Sequence, residues 1–358
     1  MKIGRTKLIP ENMAPPNAKS LAVFDGDRKI CDVDISKMRP PDLGEKLYSF
    51  GLVSDMHLDG VGSNGTYLSE AMTFFEEQGC AFCCHAGDMT NIGFWSQSSD
   101  EIYLTQMADF KSVIEAHLNL PMHGICGNHE SYNKSIMDNL AELQEYTGRD
   151  LYYTMTQGDD VFIFIGQPSG TPHAFGKYTE WVNELAWLRD TLEANRDKRC
   201  FVFEHLTLSD DSGNPNNIHN AYWGDLENTL VGIMRHYKNA ILFHGHSHLD
   251  LNEQMNWSYS NYSTKKGFKS ISIPSSGGSR ITVEGDSGRK FEEDENGRKI
   301  NRTELRSGYV AEVYECHVVL RGYYFQSHEA IPIAQYCIDT TVQTVAAGTF
   351  TDATGRLV

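Results

Sequence analysis

From about residue 46, short apolar runs alternate with stretches in which apolar residues recur at helical spacing. The apolar runs, which predict buried strands, are LYSFGLVS (47–54), CAFCCHA (80–86), LPMHGIC (120–126), DVFIFIG (160–166), CFVFEH (200–205) and AILFHGH (240–246). In the first helical stretch, Leu68, Met72 and Phe75 share one face ahead of Gly79. Further helices are predicted over 100–118, 133–146, 178–196 and 225–237. Strands that alternate with helices predict an α/β layered core.

The two ends of the chain have a different pattern. Two short β-like runs flank Asp25-Gly26 after a polar, proline-containing start, which is typical of a hairpin. After about residue 265, β-like runs follow one another, and the charged stretch 285–299 predicts an exposed hairpin tip or a mobile loop. We therefore predict an N-terminal arm with a β-hairpin (1–45), a main α/β domain (46–280) and a β-rich C-terminal extension (281–358).

Composition and charge narrow the class of protein. The chain has 358 residues and is 40% hydrophobic, and no apolar stretch approaches the roughly 18 residues of a membrane-spanning helix. Its start lacks an apolar segment of the kind found in secretory signals. The formal net charge of −17 disfavours a nucleic-acid partner without excluding one, because bound metal ions can supply local positive charge.

The eight cysteines do not form a pattern of disulfide staples. Cys80, Cys83 and Cys84 lie close together, and they allow two interpretations: a zinc knuckle, or a buried strand that uses cysteine as a small apolar residue. The second is favoured, because no further Cys/His pair lies at finger-like spacing. Together with the missing secretory signal, this predicts a reducing, cytoplasmic location.

Five of the apolar runs end in polar side chains that can bind metal. They are Asp55 and His57 in SDMHLDG, Asp88 in GDMTN, Asn128 and His129 in GNHE, His205 after CFVFE, and His246 and His248 in GHSH. Ligands of open α/β sheets bind outside the carboxyl ends of the strands, so these residues can meet although they are far apart in sequence. A mixed set of carboxylate, imidazole and amide suits first-row divalent metals, and a shared carboxylate can bridge two ions.

Each fragment alone has a plainer interpretation. A single D-x-H after a strand is more often a turn feature, and His205 by itself would most simply be a buried histidine. The ordered set is much less easily explained by chance. Glycines at 87, 127 and 245 would let the backbone turn tightly and leave room beside the ligands.

In this order, the blocks D-x-H, G-D, G-N-H-E, H and G-H-x-H resemble the calcineurin-like metallophosphoesterase superfamily over residues 47–280. The resemblance implies a two-sheet β-sandwich flanked by helices, so that 46–280 would be a catalytic domain. It also implies one metal bound by Asp55, His57 and His248, a second bound by Asn128, His205 and His246, and Asp88 as the bridge. His129 would face the substrate and stabilise the developing charge, while a hydroxide shared by the metals attacks phosphorus in line.

One position departs from the family pattern. Many members have a second aspartate three residues after the bridging one, and it partners the catalytic histidine. Here that position is Asn91, which can orient His129 but would stabilise its charged form less well. We therefore expect orientation and hydrogen bonding from His129, rather than strong general-acid catalysis.

Other residues near these blocks have weaker claims. His219 and Tyr222 are the best outside candidates for contact with substrate. Arg280 could approach a phosphate, although a surface arginine is the simpler interpretation. Glu130 is expected at the start of the following helix, where negative charge is favourable, and His244 is expected to be structural.

The function expected from the resemblance is a dinuclear metal-dependent phosphoester hydrolase, with the phosphodiesterase-like branch favoured. Phosphomonoesterase, nuclease and a non-catalytic assembly protein on the same fold are the alternatives, and the net charge disfavours the nuclease. The cofactors would be two divalent ions drawn from Mn, Fe, Zn or Ni. The expected partner is a small-molecule or nucleotide phosphoester, with no membrane partner, and a homo-oligomer stays open.

Overall fold

The computed structural model describes residues 20–25, 28–34, 43–58, 63–91, 100–131, 135–208, 223–252, 262–264, 266–285 and 288–341. The strands before the middle of the chain are β1 (Ser20–Asp25), β2 (Arg28–Asp34), β3 (Tyr48–Val53), β4 (Phe82–His85), β5 (Met122–Gly124), β6 (Tyr152–Gln157), β7 (Asp160–Ile165) and β8 (Cys200–Phe203). The later strands are β9 (Ala240–His244), β10 (Tyr262–Ser263), β11 (Lys269–Ser272), β12 (Thr282–Gly285), β13 (Gly288–Phe291), β14 (Ser307–Val313), β15 (His317–Tyr324) and β16 (Ala330–Asp339). The helices are α1 (Ser63–Glu77), α2 (Asp100–Ala116), α3 (Leu140–Thr147), α4 (Tyr178–Ala194) and α5 (Glu227–His236).

Two six-stranded mixed sheets form the body of the protein. The first has the order β16-β15-β14-β3-β4-β5, and the second has the order β10-β11-β9-β8-β7-β6. Within the first sheet β3, β4 and β5 run parallel. Within the second, β7, β8, β9 and β11 run parallel. The predicted α/β two-sheet fold is therefore confirmed.

The sheets pack face to face over an aromatic core. The ring of Phe50 on β3 meets the rings of Phe162 on β7 and Phe201 on β8, at centroid distances of 5.2 and 5.5 Å. A second apolar cluster lies under α1 and α2, and a third lies under α4 and α5, so helices cover both outer faces. Apolar residues point both ways from the central strands because each strand is buried on both faces.

The predicted boundary at residue 280 does not separate two structural units. Strand β14 pairs with β3 along its length, with Ala311 opposite Phe50, and β15 and β16 continue the same sheet. The strands expected in a C-terminal extension therefore complete the first sheet of the main body. Sequence alone could not show this, because the pairing joins segments more than 250 residues apart.

Several local expectations can be compared with the structure. The N-terminal hairpin is present as β1 paired with β2, and residues 1–19 lie outside the described part of the chain. The charged stretch 285–299 contains β13, which pairs with β12, and a turn at Gly297, with Glu293 opposite Lys299. The helix predicted over 133–146 is instead a short 3-10 turn followed by α3, and strand β6 was not predicted. Among the described residues, no helix is long and apolar enough to cross a membrane.

Candidate metal centre

The polar residues identified in the sequence follow strands whose carboxyl ends lie at the same edge of the sandwich. Asp55 and His57 follow β3, Asp88 follows β4, and Asn128 and His129 follow β5 in the first sheet. His205 follows β8, and His246 and His248 follow β9 in the second sheet. Because both sets of strands are parallel and the sheets face each other, the two groups of side chains meet across the sandwich.

The first ligand group contains Asp55, His57, Asp88 and His248, whose ligand atoms all lie within 4.8 Å of one another. The Nε2 atoms of His57 and His248 are 2.9 Å apart, and His248 Nε2 lies 3.0 Å from Asp55 Oδ1. Two imidazole nitrogens and two carboxylates that converge on one point form a suitable donor set for a divalent cation.

The second ligand group contains Asp88, His205 and His246. His205 Nε2 lies 3.1 Å from Asp88 Oδ2 and 3.2 Å from Asn128 Oδ1. The ring of His246 lies against that of His205, with centroids 5.1 Å apart. The structure thus brings Asn128 and His246 against His205, beside Asp88.

Asp88 belongs to both groups and lies between them. Its Oδ2 atom is 3.1 Å from the Nε2 atom of His205 and 3.9 Å from the Nε2 atoms of His57 and His129. The other oxygen accepts a hydrogen bond of 2.9 Å from the His129 amide. One oxygen is therefore anchored to the backbone, while the other faces the imidazoles, as a bridging ligand requires.

The backbone at this site adopts a conformation that residues with a Cβ disfavour. Positive φ angles occur at Asp55 (51°), His57 (52°), Asp88 (54°), His246 (68°) and His248 (54°). In the described part of the chain, only two further non-glycine residues share this feature, Phe175 and His328. Each such residue costs about 1–3 kcal/mol, and strain of this kind clusters where function requires it.

Hydrogen bonds outside the ligand set hold the ligands in position. The Nδ1 atom of His205 donates a hydrogen bond of 2.7 Å to the carbonyl oxygen of Ala86, which turns its Nε2 atom toward Asp88. Asp55 Oδ2 accepts hydrogen bonds from Ser54 Oγ at 2.6 Å and from the His246 amide at 2.9 Å. The side chains are thus oriented before any ion binds.

Electrostatics at the site also favours a cation. Burial alone would raise the pKa of the Asp88 carboxyl, but the imidazoles of His205 and His129 hold that pKa well below its ordinary range. Burial alone would lower the pKa of His205, yet the adjacent Asp88 raises it to about 10. Burial, with His129 and His248, keeps the pKa of His57 well below its usual value. The buried Asp88 carboxylate therefore requires a positive charge beside it, which a proton on His205 supplies or a metal ion that displaces that proton would supply.

The three glycines named in the sequence leave room for these ligands. A Cβ atom at Gly127 would lie 2.2 Å from Asp88 Oδ1, and one at Gly245 would lie 2.5 Å from Asp55 Oδ2. Gly87 has a φ of +97°, and a Cβ there would meet the ring of His205 at 2.6 Å. Gly87 therefore has both expected features, a backbone conformation that suits a tight turn and space for a ligand. Gly127 and Gly245 have the second feature, the space beside a ligand.

Glu130 was assigned incorrectly to the start of a helix. Its carboxylate is fully buried, with Oε1 accepting hydrogen bonds from the amide and hydroxyl of Thr90 and Oε2 accepting one of 2.7 Å from the Gly127 amide. Glu130 therefore joins the segment that carries Asp88 to the segment that carries Asn128. Its place directly after the G-N-H block was the only signal in the sequence.

The structure does not show the expected contact between Asn91 and His129. The Asn91 side chain is exposed. Its backbone N–H donates to Gln106 Oε1 at 3.0 Å and to the Leu58 carbonyl oxygen at 3.1 Å. His129 Nδ1 is buried and has no hydrogen-bond partner among the described residues. In this structure the backbone pairing beside Leu58 turns Asn91 outward, and its orienting role stays a prediction.

Other residues named from the sequence have different environments. His244 is buried at the end of β9, where burial lowers its pKa to about 4. Cys80, Cys83 and Cys84 are buried and free of disulfides. His219 and Tyr222 lie outside the described residues.

Sequence comparison identifies the family. A family model of calcineurin-like phosphoesterases matches residues 48–250, more than half of the chain. The chain belongs to the calcineurin-like phosphoesterase family. The match spans every residue of the two ligand groups. The comparison with curated protein sequences found no match to this chain.

Solved structures share the fold of this chain at low sequence identity. A dimetal phosphatase from Danio rerio is 14% identical, with a TM-score of 0.53, and the match covers 83% of this chain and 100% of that one. A purple acid phosphatase from yellow lupin is 13% identical, with a TM-score of 0.52 and coverage of 84% and 55%. GAP50, the anchor in the inner membrane complex of Plasmodium, is 13% identical, with a TM-score of 0.53 and coverage of 84% and 90%.

Proposed function

We propose that this protein is a dinuclear metal-dependent phosphoester hydrolase that prefers phosphodiesters. The observation that carries the proposal is the position of Asp88, one of whose oxygens lies between the imidazoles of two separate ligand groups. A shared carboxylate of this kind is the feature that a two-metal site requires.

Each residue has a distinct role in the proposal. Asp55, His57 and His248 would hold one ion, Asn128, His205 and His246 would hold the other, and Asp88 would contact both. When bound, two divalent ions lower the pKa of water and neutralise phosphoryl oxygens. The two ligand sets differ in charge. The first contains two carboxylates, Asp55 and Asp88, and the second contains only Asp88. We therefore expect the first position to bind its ion more tightly.

His129 would contact the substrate rather than an ion. Its side chain is 27% exposed, so it reaches the solvent side of the cluster, and its Nε2 atom lies 3.9 Å from Asp88 Oδ2. From there an Nε2 proton can be donated to a phosphoryl oxygen or to the leaving oxygen. Because no carboxylate contacts Nδ1 in the described part of the chain, hydrogen bonding is a better supported role than strong acid catalysis.

The preference for diesters rests on the sequence blocks SDMH, GNHE and GHSH, which resemble the phosphodiesterase-like branch. The test compares bis(p-nitrophenyl) phosphate with p-nitrophenyl phosphate on protein loaded with Mn²⁺. We expect faster hydrolysis of the diester, with loss of activity in Asp88→Ala and His246→Ala. Faster hydrolysis of the monoester would make the protein a phosphomonoesterase, and hydrolysis of neither would contradict the enzyme proposal.

A non-catalytic assembly role is the second candidate. It is favoured by the likeness to GAP50, which is described as an anchor. The strained, buried ligand set argues against it, because a scaffold has no physical need for five ligands at positive φ. Absence of bound metal after purification and after incubation with Mn²⁺ or Zn²⁺ would favour the assembly role.

A further inference from the structure

The segment 275–280 runs directly against the segments that carry the metal ligands. Ser275 Oγ donates a hydrogen bond of 2.8 Å to the Asp55 carbonyl oxygen. The Arg280 amide donates one of 2.6 Å to the His248 carbonyl oxygen, and the Asp250 amide donates one of 3.0 Å to the Arg280 carbonyl oxygen. The Arg280 backbone is therefore paired with the chain beside His248, at a strand spacing of about 4.8 Å.

Within the described ranges of the chain the Arg280 side chain has no acidic partner, which distinguishes it from the other arginines nearby. Its Nε atom donates to the neutral Asn301 Oδ1 at 2.8 Å, and no carboxylate among the described residues forms a salt bridge with it. By contrast, Arg302 pairs with Glu292 at 2.6 Å, and Arg306 pairs with Glu70 at 2.7 Å. The description of Arg280 as a simple surface arginine is therefore incomplete, because the residue is half-buried.

Lys299 provides a second cation, two residues before Asn301, whose side chain accepts the hydrogen bond from Arg280. Its Nζ atom lies 4.5 Å from the centroid of the Phe291 ring, and the side chain is half-buried. Among the described residues, Lys299 likewise forms no salt bridge. Two half-buried cations without salt bridges repel each other, and an anion bound between them would remove that repulsion.

The charges around the pair agree with this arrangement. Burial first and the charge of Arg280 second lower the pKa of Lys299 to about 8, against the opposing effect of Glu293. Burial also lowers the pKa of Arg280 to about 10, although Asp55 and Asp88 act to raise it. The placement itself comes from contacts: the Arg280 backbone pairs with His248, and its side chain reaches Asn301, two residues after Lys299.

We propose that Arg280 and Lys299 form a subsite, beside the metal-ligand cluster, that binds a second phosphate group of the substrate. The proposal rests on the proposed phosphoesterase function and names its substrate class: phosphodiesters that carry a further phosphate. The planar guanidinium suits bidentate binding of phosphate oxygens, and the ammonium adds a point charge. In a protein of net charge −17, such a local pair would attract the remote anionic group.

The test uses two chromogenic diesters with the same leaving group. Thymidine 5′-(p-nitrophenyl phosphate) has only the scissile phosphate, and its 3′-phosphorylated derivative has one more. For the Mn²⁺-loaded protein, we expect KM for the 3′-phosphorylated probe to be lower by about tenfold. Arg280→Met and Lys299→Met should each remove most of that advantage, leave kcat within about twofold, and leave KM for the first probe unchanged.

Arg298→Met is the matched control, because it removes the same charge from an exposed position next to Lys299. It should leave both KM values unchanged, whereas Arg280→Lys should restore part of the lost preference. Equal KM values for the two probes in the native protein would overturn the proposal, as would equal losses in Arg298→Met and Arg280→Met.

A binding measurement separates this proposal from the proposed function. Calorimetry of the metal-loaded protein should show tighter binding of thymidine 3′,5′-bisphosphate than of thymidine 5′-monophosphate, and Arg280→Met should abolish the difference. If that result is found without hydrolysis of either diester, the subsite stands and the phosphoesterase proposal fails. Hydrolysis of both diesters with no difference in binding or KM would refute the subsite alone.

Discussion

The substitution Gly127→Ala should displace the bridging carboxylate without changing any ligand. The new Cβ atom would lie 2.2 Å from Asp88 Oδ1 and 2.6 Å from the Asp88 amide nitrogen. A carbon and an oxygen that are not bonded need about 1 Å more than this, so the carboxylate must move by about 1 Å. Overpacking of this kind costs about 1–3 kcal/mol of unfolding free energy, and a 1 Å misplacement costs about 100-fold in rate.

The assay measures three quantities on each variant: kcat with the better diester, metal content after dialysis, and the midpoint of thermal unfolding. The control is Gly65→Ala in α1, where the nearest atoms to a new Cβ are 3.9 and 4.0 Å away. The control should be neutral or stabilised by about 0.5–1 kcal/mol, because alanine favours helix. Native kcat and metal content in Gly127→Ala would refute the reasoning, since the contact with Asp88 leaves no room for a methyl group.

The remaining predictions concern the supports of the site and of the fold. Glu130→Gln should lower the unfolding free energy by about 1–3 kcal/mol, because the side-chain NH₂ group cannot accept a hydrogen bond as the second carboxylate oxygen does. The same change should weaken metal binding about 10- to 100-fold, measured by competition with a chelator. Asn91→Ala should leave kcat within about twofold in steady-state assays, because the side chain is exposed; a 100-fold loss would show that it turns inward during turnover. Arg199→Met should cost about 3–5 kcal/mol in denaturant unfolding with kcat unchanged, because it leaves the buried Asp160 carboxylate unpaired at the opposite end of the sandwich. Saturating Mn²⁺ at about 100 times its Kd should stabilise the protein by about 2.7 kcal/mol per site relative to chelator in a thermal-shift assay, and Asp88→Asn should show a smaller shift.

Much of the fold was predictable because local patterns are strong in this chain. The apolar runs of β3, β4, β7, β8 and β9 are continuous, as expected for strands buried on both faces, and the helices between them have clear apolar stripes. Strand β6 was missed because its burial is only partial and it lies at an edge of its sheet. The start of the helix predicted over 133–146 was misplaced, because a 3-10 turn precedes α3.

The ligand set was predictable for a different reason. Each ligand follows a strand end, and in parallel sheets the strand ends meet, so sequence order and strand polarity together predict one cluster. The roles of Glu130, Asn91 and Arg280 were not predictable in this way. They depend on the direction in which each side chain points, and the hydrogen bonds that decide this direction come from residues distant in sequence.

The sequence by itself determined the strand–helix alternation, the five polar strand ends and the glycines beside them, because each of these is a local property of the chain. Only the tertiary structure decided that the last strands pair with β3, that Glu130 joins two ligand segments, and that Arg280 lies beside His248. These features arise from hydrogen bonds between distant segments, whose register depends on the whole packed sandwich. The positive φ angles at five ligands belong to the same class, since only surrounding packing can hold a disfavoured backbone in place.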